Sequence, residues 1–245
     1  YLDRDRISNF FAALPPEQGG YYQEDLGLTP EPLQQLLLDD TVLPTGLSVA
    51  EEREACRSLK GAMLRQEVYA LDGTDKQPHP YSVAEQNYTI EPVQPFGENQ
   101  HAVFFTHARE SLSYHYERNP ADPRIGHELV LEVDEFGTVL KSVAVAYPRR
   151  LPQHPEQGQL HATYTENRVT NKPNEADWYR LGLPIETLTY EITGMPLMAG
   201  QRFALSDFYA QDATGQVSGF VTAPEIAYEQ FPEGTLQKRS IERVR

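Results

Sequence analysis

From residue 64 onward the chain repeats one pattern: a short run in which apolar and polar residues alternate, closed by Gly, Pro, Asn or Asp. Alternation with period two places successive side chains on opposite faces of a strand, and the closing residues supply turns. Such runs stand at LRQEVYALDG (64–73), YSVAEQNYTI (81–90), HAVFFTHA (101–108), ESLSYHYER (110–118), HELVLEV (127–133), TVLKSVAVAY (138–147), LHATYTENRVT (160–170), PIETLTYEIT (184–193) and GQVSGFV (215–221). The links between them are too short for the crossovers that parallel strands require. The pattern therefore predicts a mainly β fold, a large antiparallel sheet of consecutive hairpins running as a meander.

Before that point the pattern is helical or irregular. TPEPLQQLLLDD predicts a short helix capped by Thr29, with Pro30 at its first position and an end near Asp39. SVAEEREACRSLKGAML carries Ser48 with Glu51 three residues on, a capping box, and Cys56, Leu59 and Met63 mark one apolar face. A helix over roughly 49–61 follows, ended by Gly61. The chain divides into a loop-rich segment, 1–46, and a helix followed by a β-meander, 47–245. Late in the chain SDFY (206–209) predicts one helical turn capped by Ser206.

Composition narrows the function. With 39% hydrophobic residues, 14 Tyr, 10 Phe and 19 Pro, the chain is too aromatic for a disordered polymer. Its net charge of −15 opposes nucleic acid and anionic lipid. No apolar run approaches the roughly 20 residues of a spanning helix, so direct membrane insertion is not expected. One cysteine, Cys56, rules out an internal disulfide and is placed in the buried face of the helix. The sequence starts at Tyr1 without a signal segment and reads as an internal piece of a longer protein. Its basic end, KRSIERVR (238–245), could serve as an anchoring patch, but a solvated strand or helix is the simpler reading.

One stretch, residues 111–137, concentrates His115, Glu117, His127, Glu128, Glu132 and Asp134. If NPADPR (119–124) closes a hairpin with Arg118 facing Ile125, then Tyr116 faces His127, Tyr114 faces Leu129 and Leu112 faces Leu131. His115 then meets Glu128 as an ordinary cross-strand pair, and Glu117 lies opposite Gly126. Alternation sends His127 to the face opposite His115 and Glu117, so these ligand types diverge and no metal site is expected. The next turn, DEFG, sets Val133 against Val139, Leu129 against Val143 and Leu131 against Lys141.

Motifs of higher specificity are missing. There is no HExxH, GxGxxG, GxxxxGK or EF-hand loop, and Ser48 in GLSVA lacks the second glycine of a nucleophile elbow. Glu132, Asp134, Glu166 and Glu191 are possible carboxylates for sugar hydrolysis, but any acidic protein supplies such residues. The acceptor pattern Asn87-Tyr88-Thr89 is short enough to arise by chance. Trp178, Tyr179 and Arg180 suit a sugar platform or a partner anchor, while a packed corner before a strand is the simpler reading. No catalytic, cofactor-binding or metal residue is predicted.

The run ESLSYHYERNPADPRIGHELVLEVDEFGTVLKSVAVAYPRR (110–150) resembles the B component of bacterial insecticidal toxin complexes, the Tc toxins. EEREACRSLKGAMLRQEVYALDG (51–73), PYSVAEQNYTI (80–90), YTENRVTN (164–171), LGLPIETLTYEITG (181–194) and GTLQKRSIERVR (234–245) resemble that family in the same order. The resemblance is to an internal region between the β-propeller and the Rhs-type shell strands. It implies an Rhs-shell-like wall, secreted as part of a toxin assembly, that encloses the toxic C-terminal cargo of the C component. The propeller of that family docks on the pore-forming A component, and its self-cleavage and cytotoxic chemistry belong to the C component. By this resemblance the segment is not an enzyme and needs no cofactor; a negative inner surface would favour cationic unfolded cargo. The rival reading is a free-standing β-rich module for carbohydrate or a host surface.

Overall fold

A computed structural model describes residues 14, 18–22, 37–194, 202–211, 217–220 and 237–244. It is mainly β, built from long antiparallel strands joined as consecutive hairpins, with one α-helix among the described residues. The chain forms two compact units, residues 1–125 with 149–153, and residues 126–148 with 154–245.

In the first unit helix α1 (Val49–Ser58) opens with the expected capping box. Glu51 N donates to Ser48 Oγ at 3.3 Å, and Ser48 N donates to Glu51 Oε2 at 3.0 Å. Gly61 has φ 88, which lets the chain turn after the helix. Ala55, Cys56 and Leu59 pack on Ile90, with Leu43, Leu47, Leu64, Tyr88 and Phe104 around them. The helix predicted from Thr29 lies mostly outside the described residues, and residues 37–39 are not helical.

Three strands follow in order: β1 (Arg65–Val68), β2 (Ser82–Gln94) and β3 (Val103–His115), each antiparallel to the next. The predicted runs 101–108 and 110–118 are one strand. Glu110 pairs with Asn87 and Ala108 with Tyr88, so a β-bulge absorbs Arg109 and no turn is needed. A second irregularity lies beside Pro92, a residue that sheets accept at such positions. Strand β3 also ends earlier than predicted, so Arg118 does not face Ile125 in a ladder. The Tyr116 and Glu117 amides turn to Tyr81 O at 2.9 and 3.0 Å, and the Arg118 amide turns to Pro80 O. Glu117 and Arg118 adopt left-handed φ values of 51 and 62. That conformation is unfavourable for side chains with a Cβ, and it is offset by the fork of Arg118 on Asp72 at 2.8 and 3.1 Å.

In the second unit β4 (Arg124–Val133, its first two residues belonging to the first unit), β5 (Val139–Ala146), β6 (His161–Lys172) and β7 (Arg180–Thr193) pair antiparallel in chain order. A short hairpin, β8 (Tyr209–Gln211) with β9 (Val217–Phe220), stands apart, and β10 (Gln237–Val244) pairs with β7. Register brings Leu129, Val143, Tyr164 and Tyr190 into one buried row, and His127, Val145, Ala162 and Ile192 into the next. Phe203, Leu205 and Phe208 are buried too, with Phe203 stacked on Tyr147 at 6.2 Å. The single turn near SDFY is a 3-10 turn, Leu205–Phe208. Its acceptor is Asp207, not the predicted Ser206: Ala204 N donates to Asp207 Oδ2 at 2.8 Å.

The turn after β4 follows its predicted form. Gly137 has φ 91, Val133 faces Val139 and Leu129 faces Val143. Lys141, however, faces Glu132 and not Leu131, because the ladder is irregular around Leu131. An apolar partner is thereby replaced by an ionic one, and Lys141 donates to Glu132.

Candidate functional site

The residues that first suggest chemistry are dispersed into structural roles. His115 is exposed at the end of β3, and Glu117 pairs with Arg124. His127 is buried, its Nδ1 lying 3.0 Å from Tyr147 Oη, which also accepts a hydrogen bond from Phe203 N. Glu128 is exposed, and Glu132 is held by Lys141. Glu166 accepts a long bond of 3.4 Å from Tyr164, while Glu191 lies on the opposite face of β7 from Tyr190. Among the described residues no three His, Cys, Asp or Glu side chains gather in a metal-holding group. Asn87 is 3% exposed, which removes it as a glycan acceptor in the folded protein.

Asp134 organises two hairpin ends. Its Oδ1 accepts from the Phe136 and Thr138 amides at 3.0 and 2.8 Å, and its Oδ2 accepts from Asn171 Nδ2 at 2.8 Å. Asn171 Oδ1 in turn accepts from Gly182 N at 2.7 Å. Burial pushes the Asp134 carboxyl upward, but these bonds outweigh it and hold the group below the usual carboxylate range. The carboxylate is a structural acceptor with its lone pairs committed, which is the opposite of a poised acid. Beside it, Trp178 and Tyr179 are 44% and 57% exposed, so the packed-corner reading of this trio is incorrect. The hairpin carrying them is fixed from below by hydrogen bonds and not by burial of its aromatic rings.

The densest polar arrangement is one that alternation hid. In β1 it is Arg65 and Glu67 that are covered, with side chains 8% and 16% exposed, while Val68 is open. Arg65 Nε donates to Glu67 at 2.6 Å, and its Nη1 donates to Glu85, whose side chain is 6% exposed. The guanidinium lies 4.4 Å from the centre of the Tyr21 ring. Next along β2, Asn87 Nδ2 donates to Asp39 O at 3.0 Å and to Glu110 Oε1 at 3.3 Å, and Glu110 N donates back to Asn87 Oδ1 at 2.8 Å. Of these groups, Tyr21, Arg65, Glu85 and Asn87 line a cleft of about 20 Å³ with Leu38, Asp39, Asp40 and Thr41, room for roughly one water molecule. A cleft of that size is too small for a substrate. The sequence offered one clue to it, namely Arg65 and Glu67 on one face of β1 with Glu85 on its neighbour.

What remains is a long-stranded sheet in which Asp134, Arg118 and Glu85 hold loops by hydrogen bonds. The family described as "Insecticide toxin TcdB middle/C-terminal region" matches residues 54–183. Among solved structures the chain is similar to the crystal structure of TcdB2-TccC3-Cdc42, with a TM-score of 0.54 and 29% identity over 60% of this chain and 8% of that one. It is also similar to a structure of the Photorhabdus luminescens Tc holotoxin pore, with a TM-score of 0.55 and 27% identity over 69% of this chain and 8% of that one. A TcdB2-TccC3 structure without its hypervariable C-terminal region shares the fold, with a TM-score of 0.57 at 24% identity over 72% of this chain. The chain thus spans only 8 to 9% of the length of these solved relatives. No curated protein matches it. With more than half of its 245 residues inside the matched region, the chain belongs to the insecticide toxin TcdB middle/C-terminal family.

Proposed function

We infer that this chain is a wall segment of the β-shell that encloses the C component's toxic C-terminal cargo. The observation that carries the reading is the sheet itself. Strands of 13, 13, 10, 8, 12 and 14 residues follow one another as hairpins, and several of their charged residues pair across or beside the ladder, as Glu85 with Arg65, Glu132 with Lys141 and Glu186 with Arg168. A wall needs continuous main-chain pairing and twist, which these strands supply, and it needs no catalytic residue. The solved relatives are complexes of TcdB2 with TccC3 and a holotoxin pore. The partners proposed here are correspondingly the rest of the B component, the C component with its cargo and, indirectly, the A component. The assembly is secreted, the segment is not an enzyme, and residues 47–245 form its wall portion behind the loop-rich 1–46.

The test uses the full polypeptide carrying this sequence, co-produced with its C component. Cargo in the wild-type complex resists added protease. Leu129→Asp with Tyr164→Asp, placed in the buried row of the sheet, exposes it. Cargo cut in the wild-type complex as fast as in the free C component would overturn the reading. The exposed Trp178 and Tyr179 support a second reading, a binding module for carbohydrate or a host surface. Glycan-array binding that disappears in Trp178→Ala would favour it.

A further inference from the structure

Strand β7 changes character along its length. Its second half is covered: Tyr190 and Ile192 are each 7% exposed, and β10 pairs with Thr187–Thr193. Its first half has β6 on one side and, among the described residues, no strand on the other. There, and at the hairpin end just before it, Trp178, Tyr179, Leu181, Leu183 and Ile185 are all between 39% and 57% exposed. Solvated edges normally carry charge, and a run of open apolar side chains marks a surface that something else covers. The surface is also held in place from within: Asn171, bound to Asp134, accepts from Gly182 N at 2.7 Å in the middle of the run.

We propose that this surface, residues 178–185, is an interface buried against another part of the B component's own polypeptide. Such a contact rests on the shell-wall reading and specifies what that wall packs on. Other occupants fit less well. A sugar needs directional polar groups beside the rings, and Asp134 and Asn171 are already committed to the hairpin ends. An anionic membrane is opposed by Glu175 and Asp177 next to Trp178 and by the net charge of −15. An added strand would meet Pro184, which has no amide to donate. What fits is an apolar protein surface packed through side chains, with Trp178, Tyr179 and Arg180 of the types that anchor such contacts. Surfaces this apolar belong to permanent contacts, whereas partners that arrive separately meet surfaces of ordinary polarity. The solved relatives have ample chain to supply one, since this chain spans only 8 to 9% of their length, and a segment of the same polypeptide reaches the surface at high effective concentration. The contact lies outside both compact units, so it seats the segment in the shell without stabilising either unit internally.

Hydroxyl-radical labelling of the full polypeptide carrying this sequence, with and without its C component, tests this. Rings 44% and 57% exposed, as Trp178 and Tyr179 are here, label about twofold more slowly than in the denatured polypeptide. Covered by the rest of the B component, both are expected to label roughly tenfold or more slowly, equally with and without the C component. Leu183→Asp is expected to return both to about twofold while the buried Tyr190 stays protected, which also shows that the variant has folded. Protection of only about twofold in the wild-type polypeptide, a measurement that needs no variant, would overturn the proposal. So would protection that arises only when the C component is present. Cargo that resists protease while Trp178 labels freely keeps the shell and removes this contact; cleaved cargo with Trp178 protected does the reverse.

Discussion

The two units seal similar antiparallel ladders with opposite chemistry. In the first, Arg65, Glu67, Glu85, Asn87 and Glu110 lie under a short irregular segment, and the closure is made of directional bonds. In the second, Leu129, Val143, Tyr164 and Tyr190 form a buried row, and Phe203, Leu205 and Phe208 are buried on the segment that follows β7. Apolar closure is non-directional and strongest when water is excluded for good. Ionic closure is directional and reversible, because each group has a favourable alternative in water. One ladder geometry is thus closed by apolar packing in one place and by ion pairs and hydrogen bonds in another.

The contrast can be broken by substitution. Leu129→Ala removes a side chain that is 0% exposed and should cost about 2–5 kcal/mol, read from the global exchange of the second unit. Arg65→Met should cost about 3 kcal/mol, the low end for a buried pair that loses one partner, because the Tyr22 and Leu38 amides still donate to the two carboxylates. A larger loss at Arg65 than at Leu129 would reverse the comparison. Gly182→Ala puts a Cβ 3.3 Å from Thr138 Oγ1 at a φ of +62, and a loss of about 1–2 kcal/mol in thermal stability is expected from the left-handed backbone.

Acid sharpens the same contrast. The Arg118 fork, with help from Thr74, holds the Asp72 carboxyl down to about 2. A carboxylate with a depressed folded value contributes stability above its unfolded value of roughly 3.9, and that contribution is lost as pH falls toward 2. The loop 72–80 should therefore stay clamped through mild acid and loosen only below about pH 4, as followed by a carboxyl NMR titration; Asp72→Asn should abolish this dependence. The smallest effect expected is that of Trp178→Ala, within about 0.5 kcal/mol, since its ring is not packed into either unit's core. A large loss there would mean that the exposed aromatic pair is a structural element after all.

The extent to which the fold was legible depended on distance along the chain. The Ser48–Glu51 capping box, the positive φ at Gly137 and the pairing of Val133 with Val139 are short-range, and composition and spacing pointed to all three. The bulge at Arg109 was misread as a strand boundary, since an extra residue disturbs alternation as a turn does. The early end of β3 was missed because its cause, the Tyr81 and Pro80 carbonyls, lies some thirty-five residues away. The packed corner expected at Trp178 was not found, because the exposure of an aromatic ring is set by segments distant in the chain. The buried charge cluster escaped because Arg and Glu on a strand carry the same signal whether solvated or paired.

The sequence alone determined that this is an acidic, turn-rich, antiparallel β protein with a capped helix before its strands, and it carried the resemblance to its toxin family. Those properties follow from periodicity and local sterics, which need no partner beyond a few neighbours. Tertiary structure alone decided which face of β1 is covered, where the ladders slip, and how Arg65, Glu67 and Glu85 join residues 21–22 and 37–42 to the sheet. A charged side chain is stable in water or against a counter-charge, and only the folded positions of distant segments select between the two.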